Sequence, residues 1–167
     1  DSTACFRTRL DFMRLVATEA PYGSWKSPIT ANSCVNASGD YAQLVSDGSE
    51  LYYLESLPAE NGRLTIKRLS DGTELTPAPT SVRNRVKEYG GGSYHVREGF
   101  VAWCDDSQDG IVTLRDPAGN VRYLTSVETD YRYGDLRVHP DLGFVLAVRE
   151  DHSTAGEPIT TIVAIPL

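Results

Sequence analysis

From Pro21 onward the chain alternates short apolar runs with turn residues at close, regular spacing. Leu51–Leu54, Leu64–Leu69, Tyr94–Val96, Phe100–Trp103, Ile111–Leu114, Phe144–Val148 and Ile159–Ile165 are rich in β-branched and aromatic residues. Between them stand Ser46-Asp47-Gly48, Asn61-Gly62, Asp71-Gly72, Glu98-Gly99, Asp109-Gly110, Pro117-Ala118-Gly119-Asn120 and Pro140-Asp141-Leu142-Gly143, combinations that favour tight turns. No stretch after residue 30 carries a helical period. Strands of this length, about ten residues apart and joined by turn chemistry, predict an all-β meander.

The runs also repeat. Leu51-Tyr52-Tyr53-Leu54-Glu55 precedes the alternating run Leu64 to Leu69, and Phe100 to Asp105 precedes Ile111 to Leu114. Phe144 to Glu150 precedes Ile159 to Ile165 in the same way. The first two units share an exit, Glu74-Leu75-Thr76-Pro77 against Tyr123-Leu124-Thr125-Ser126. A period of about 45 to 50 residues falls in the range of propeller blades. The expected fold is therefore all-β, a partial β-propeller of about three four-stranded antiparallel blades, the last incomplete. The expected boundaries are 21–80, 81–126 and 127–167, after an extension or leader at 1–20. Propellers close with about four to eight blades, so three leave two apolar faces without a neighbour. The simplest expectation is a piece of a longer polypeptide.

Composition narrows the partners. A formal net charge of -7 in 167 residues argues against nucleic-acid binding, which needs a basic face. No window has the length and apolarity of a membrane-spanning helix. Cys5, Cys34 and Cys104 are scattered and unpaired in pattern, which suits a reducing compartment. The expected location is cytoplasmic, with organelle import open if the Arg-rich segment around Phe6, Leu10 and Met13, a candidate amphipathic helix, is a leader. Asn36-Ala37-Ser38 has the form of a glycosylation sequon, a triplet common by chance.

The densest glycine cluster is Glu88-Tyr89-Gly90-Gly91-Gly92-Ser93-Tyr94. It lacks the Gly-Lys-Ser/Thr of a phosphate loop and opens no helical pattern. Gly90, Gly91 and Gly92 suit the start of a strand that runs close to other backbone at a propeller's central channel. Replacing Gly91 with Val is then expected to disturb packing. Glu88, Tyr89, Arg132 and Asp135 are the candidate substrate-channel residues, because inner strands line that channel and charged groups there can hold a peptide terminus. The competing reading is that Glu88, Arg132 and Asp135 pair with one another and with backbone to lock the blades. No catalytic residue is assigned: Gly23-Ser24-Trp25 and Gly92-Ser93-Tyr94 lack the Gly-x-Ser-x-Gly elbow that would expose a nucleophile. No cofactor and no metal are expected; Glu150, Asp151 and His152 are adjacent in an extended pattern and point to opposite faces. Trp25 and Trp103 are expected to pack in the core.

Four landmarks in order carry a resemblance over about residues 21–167. Tyr22 to Ala31 resembles the opening of the propeller domain of prolyl oligopeptidase-family serine peptidases, in the dipeptidyl aminopeptidase/acylaminoacyl-peptidase branch. Arg85-Val86-Lys87-Glu88-Tyr89-Gly90-Gly91-Gly92 resembles that branch's Arg-Val-His-Glu-Tyr-Gly-Gly-Gly signature, with Lys87 where the family usually has His. Arg132-Tyr133-Gly134-Asp135 resembles its Arg-Tyr-Ala-Asp strand, and Val148-Arg149-Glu150-Asp151-His152 its strand end. Asp105 to Ile111 departs from the usual Asp-Gln-Arg-Leu-Tyr. The resemblance implies a non-catalytic propeller portion that restricts peptide access to an α/β-hydrolase domain with a Ser-Asp-His triad. Its partners would be the remaining blades and that hydrolase domain of the same polypeptide, and a peptide substrate. Two alternatives remain: a stand-alone binding or scaffold protein that closes by oligomerisation, and a small β-sandwich enzyme with an unrecognised site.

Overall fold

The computed structural model describes residues 19–30, 33, 39–127 and 129–167. The candidate leader helix and the Asn36 sequon lie outside the described residues. The chain divides into two compact units, residues 1–34 and 35–167. In the first, Ser24 closes a turn by donating from both N and Oγ to the Pro21 carbonyl at 3.0 and 2.6 Å. Trp25 there is 49 % exposed and meets the Tyr22 ring edge-on, so the expected core role for this tryptophan is not seen.

Among the described residues, the second unit holds ten strands: β1 (Tyr41–Asp47), β2 (Glu50–Leu57), β3 (Arg63–Arg68), β4 (Tyr94–Arg97), β5 (Phe100–Asp105), β6 (Ile111–Arg115), β7 (Val121–Tyr123), β8 (Tyr131–His139), β9 (Phe144–Asp151) and β10 (Ile159–Pro166). They form three antiparallel sheets in chain order: β1-β2-β3, β4-β5-β6-β7 and β8-β9-β10. Among the described residues the first sheet thus has three strands where four were expected, while the third has three, its blade having been expected incomplete.

The repeat read from the sequence is a repeat of hydrogen bonds. Between β2 and β3, and again between β5 and β6, a short 3-10 turn ends in a left-handed residue followed by glycine, Asn61-Gly62 and Asp109-Gly110. Asn and Asp tolerate that backbone region better than most side chains. The shared exit works identically in both units. Leu75 N donates to Ile66 O and Ile66 N to Thr76 Oγ1, while Leu124 N donates to Val112 O and Val112 N to Thr125 Oγ1. Each threonine satisfies an amide that the sheet edge would otherwise leave open.

Two apolar layers join the sheets. Tyr52, Leu54 and Ile66 of the first sheet pack with Tyr94, Val96, Val101 and Trp103 of the second. Ala102, Cys104, Val112 and Leu114, on the second sheet's opposite face, pack with Leu136, Val138, Val145, Ala147 and Ile165 of the third. Alternation sends successive β5 side chains to opposite faces, and both faces are covered, so the strand reads as a continuous apolar run. Each fully buried aliphatic side chain contributes about 1.5–3 kcal/mol. Cys104 sits in this second layer as a free thiol, its Sγ 3.2 Å from the Tyr133 carbonyl.

Candidate functional site

The glycine-rich stretch lies where the first strands of all three sheets meet, and β1, β4 and β8 are those strands. Two β-bulges converge on it. Gln43 interrupts β1 with φ 51°, and Asp135 interrupts β8 with φ 51°. Gln43 Oε1 accepts from Ser93 N at 3.0 Å, its Nε2 donates to Tyr94 O at 3.0 Å, and the Tyr94 hydroxyl returns a bond to Gln43 O at 2.6 Å. From the other side, Asp135 Oδ1 accepts from Gly92 N at 2.8 Å and Asp135 N donates to Gly92 O at 2.7 Å.

Glycine is required here by space. A Cβ on Gly91 or Gly92 would stand 3.0 Å from a carboxylate oxygen of Asp135, and one on Gly134 only 2.7 Å from Val86 Cγ2. The contact at Gly134 is one that Cβ atoms essentially never make, while those at Gly91 and Gly92 are tight enough that the Asp135 carboxylate would have to give by a few tenths of an ångström. The expectation that glycines let inner strands converge fits this geometry. The strand itself starts later than expected: residues 86–89 turn, 90–93 are irregular, and β4 begins at Tyr94.

The segment before the glycines is a tied loop. Asn84 Oδ1 accepts from Gly91 N at 2.9 Å, and its Nδ2 donates to Gly91 O and Ser93 Oγ at 3.1 and 3.0 Å. Gly90 N donates to Val86 O at 2.8 Å. Lys87 and Glu88 both take positive φ, 52° and 62°, a conformation of order 1–3 kcal/mol above the usual wells for non-glycine residues. The Lys87 amide is held by Glu150 Oε1 at 2.7 Å, and Glu150, 2 % exposed, also meets His152 Nε2 at 3.2 Å. Glu150 and His152 thus face together, which alternation allows at i and i+2. Among the described residues, no group of three or more His, Cys, Asp and Glu is arranged to hold a metal ion.

This loop puts the four candidate residues at one end of the sheets. Glu88 Oε1 and Arg132 Nη1 are 2.7 Å apart, and Arg132 Nη1 also donates to Arg85 O at 3.2 Å. Hydrogen bonding to Arg132, reinforced by its charge, holds the Glu88 carboxyl below the usual glutamate range. Tyr89 is 98 % exposed at the loop's tip. Asp135 bonds to backbone rather than to Arg132, so the pairing reading describes Glu88, Arg132 and Asp135 as they stand. Arg132 also borders a cleft of about 160 Å³ with Asn84, Arg85, Asp106, Asp109 and Tyr133. Arg85 and Asp106 face each other there at 3.3 Å.

Gln43, Asn84 and Glu150 organise this end, and the sequence reading gave none of them that part. Asn84 carried a local signal, a short amide just before a glycine cluster that it could tie by side-chain-to-backbone bonds. Gln43 carried none, because a bulge follows from how the sheets meet.

No protein-family model matches the chain, and no curated protein matches it. Solved structures do. The Mycobacterium tuberculosis puromycin-hydrolysing peptidase aligns at 35 % identity and a TM-score of 0.74, over 90 % of this chain and 25 % of that one. A puromycin hydrolase aligns at 30 % identity and a TM-score of 0.78, again over 90 % of this chain and 25 % of that one. The chain therefore spans about a quarter of the length of these proteins. Over nine-tenths of its own length the chain is thus similar in fold and sequence to a part of these structures, which belong to the prolyl oligopeptidase family.

Proposed function

We propose that the three sheets are successive blades, about three with the last incomplete, of a β-propeller in a serine peptidase of the dipeptidyl aminopeptidase/acylaminoacyl-peptidase branch. The propeller restricts access to an α/β-hydrolase domain of the same polypeptide, which supplies the catalytic triad and cleaves peptides or aminoacyl compounds. The observation that carries this reading is the alignment with two peptidases at 30–35 % identity, in which the shared part is a β-sheet portion only. The side-by-side stacking of the sheets through β1, β4 and β8 supports it.

In this reading Glu88, Tyr89, Arg132 and Asp135 stand where the inner strands face the channel. Glu88 and Arg132 present opposite charges within 2.7 Å, able to re-pair with the termini of a passing peptide. Tyr89 offers an exposed ring on a loop already ordered by Asn84 and Glu150, so little further ordering is needed on binding. The reading puts the enzyme in the cytoplasm, in keeping with the scattered spacing of Cys5, Cys34 and Cys104 along the sequence.

The test compares the 167-residue chain with a polypeptide extended through the hydrolase domain, using puromycin and aminoacyl chromogenic amides. Turnover is expected from the extended protein alone. Turnover by the 167-residue chain, abolished by a serine-directed inhibitor, overturns the assignment.

A further inference from the structure

The cleft beside Arg132 carries charge of both signs that the fold leaves largely unused. Asn84 and Arg85 reach it from the loop before the glycines, Asp106, Asp109 and Gly110 from the turn between β5 and β6, and Arg132 from β8. The second and third sheets flank it, so residues within the chain set its shape. Arg85 and Asp106 stand 3.3 Å apart, a looser pair than Arg63–Glu60, Arg68–Asp71 and Arg132–Glu88 at 2.6, 2.9 and 2.7 Å. Arg132 reaches both Glu88 and the Arg85 carbonyl through one nitrogen, Nη1, which leaves its other N–H groups open to a ligand. The Asp109 carboxylate makes no hydrogen bond or ion pair among the described residues. Asn84 is spoken for, its amide being spent on Gly91 and Ser93.

The segments that carry these charges are held in place without a ligand. Asp105, 3 % exposed, accepts from the Ser107 amide and hydroxyl at 3.1 and 2.6 Å, and its carbonyl takes the Gly110 amide at 2.8 Å. The turn bearing Asp106 and Asp109 is thus fixed at both ends. Arg85 O accepts from Arg132 Nη1 and from Glu88 N, each at 3.2 Å, which keeps the two arginine-bearing segments together. Binding there would order little that is not already ordered. At about 160 Å³ the cleft is well below the roughly 300–1,000 Å³ of sites for drug-sized ligands, so it suits a group of a few heavy atoms.

We propose that this cleft binds the head group of a free α-amino acid, its carboxylate on Arg85 and Arg132 and its ammonium on Asp106 and Asp109. Guanidinium N–H groups donate to a carboxylate, and an ammonium donates to carboxylates, so each end of the zwitterion meets charged partners of opposite sign. Entry parts Arg85 from Asp106 and gives each a new charged partner, so neither is left unpaired. A lone anion would face Asp106 and Asp109, and a lone cation would face the two arginines. The site needs no hydrolase domain; in the peptidase of the proposed function its ligand is a product of cleavage.

Amide NMR of the isotope-labelled chain, titrated with L-alanine, tests this. Alanine is expected to shift the Arg85 and Gly110 amides saturably at millimolar concentration. N-acetylalanine lacks the ammonium and alaninamide the carboxylate, and each is expected to bind about tenfold more weakly or worse, the size of one lost charge-assisted contact. Arg85→Gln and Asp106→Asn are each expected to weaken alanine about tenfold, while Arg85→Gln leaves the weak binding of alaninamide unchanged. Absent or unsaturable shifts at those amides overturn the proposal. So does equal binding of either blocked analogue, or unchanged alanine binding in either variant. Where a variant loses its parent-like spectrum, the analogue series on the parent decides alone. A failed titration leaves the peptidase assignment standing, and turnover by the extended polypeptide bears on that assignment without altering the titration.

Discussion

Asp135 holds Gly92 at both of its backbone polar groups, accepting from the amide at 2.8 Å and donating to the carbonyl at 2.7 Å. One residue of β8 therefore fixes the approach to β4, the first strand of the neighbouring sheet. Asp135→Ala removes the acceptor and puts a residue less tolerant of positive φ at this bulge. The expected loss is about 1–2 kcal/mol by urea denaturation, modest because the side chain is solvent-exposed. Asp135→Asn keeps an acceptor oxygen and is expected to lose less than half of that.

Gly134 faces Val86 across a gap that admits no methyl group. Gly134→Ala is expected to destabilise by about 1–3 kcal/mol, the usual range for overpacking. In a Val86→Ala background the same substitution is expected to cost much less, since the clashing Cγ2 is gone. A double-mutant cycle from urea melts reads the coupling, and additive losses would show that Val86 is not what excludes the side chain.

His95 is held neutral. Its Nδ1 accepts from Val138 N at 3.1 Å, a bond that joins β4 to β8 and needs an unprotonated nitrogen. Burial lowers its pKa to about 4, with further repulsion from Arg137, His139 and Arg97 opposed by Asp47. The unfolded imidazole takes its proton near 6.5 and the folded one only near 4, so between these values the unfolded state binds more protons. His95's contribution is therefore complete above about pH 6.5 and is lost progressively as pH falls towards about 4. Urea midpoints measured between those pH values are expected to fall more steeply for the parent than for His95→Gln.

Glu88 and Arg132 test the channel assignment. Their side chains are 75 % and 35 % exposed, so Arg132→Ala is expected to cost under about 1 kcal/mol of stability. In the peptidase that contains this chain, the same substitution is expected to raise KM for a peptide substrate about tenfold with kcat little changed, the size of one lost charge-assisted contact. An unchanged KM would leave the pair a structural contact only.

The strands that the sequence made visible are those whose side chains meet another sheet. β2, β3, β4, β5, β6 and β9 carry runs that burial had made apolar, and β10 was legible from its β-branched residues although only Ile165 in it is buried. The β2–β3, β4–β5 and β5–β6 turns follow from Asn-Gly, Glu-Gly and Asp-Gly. β1 was not read, because Tyr41 to Asp47 is exposed at alternate positions and carries no apolar run. β7 was missed for the same reason, being three exposed residues paired only at the sheet edge. The Leu-Thr exit was legible as a repeat, although its purpose, capping one amide in each sheet, needed the fold. At the candidate site, Glu88 and Arg132 were legible as charges flanking glycines. Gln43 and Asn84 were not, because their bonds span a bulge and an irregular loop whose shapes depend on neighbouring sheets.

Cys104 lies at the junction of the second and third sheets, with no exposed surface and its thiol pKa pushed up by burial. An alkylating reagent can reach that sulfur only when the two sheets part. With Cys5 and Cys34 replaced by serine, the rate of Cys104 labelling would time the opening of that one junction while the rest of the stack stays folded. The chain thus contains its own clock for the separation of neighbouring sheets.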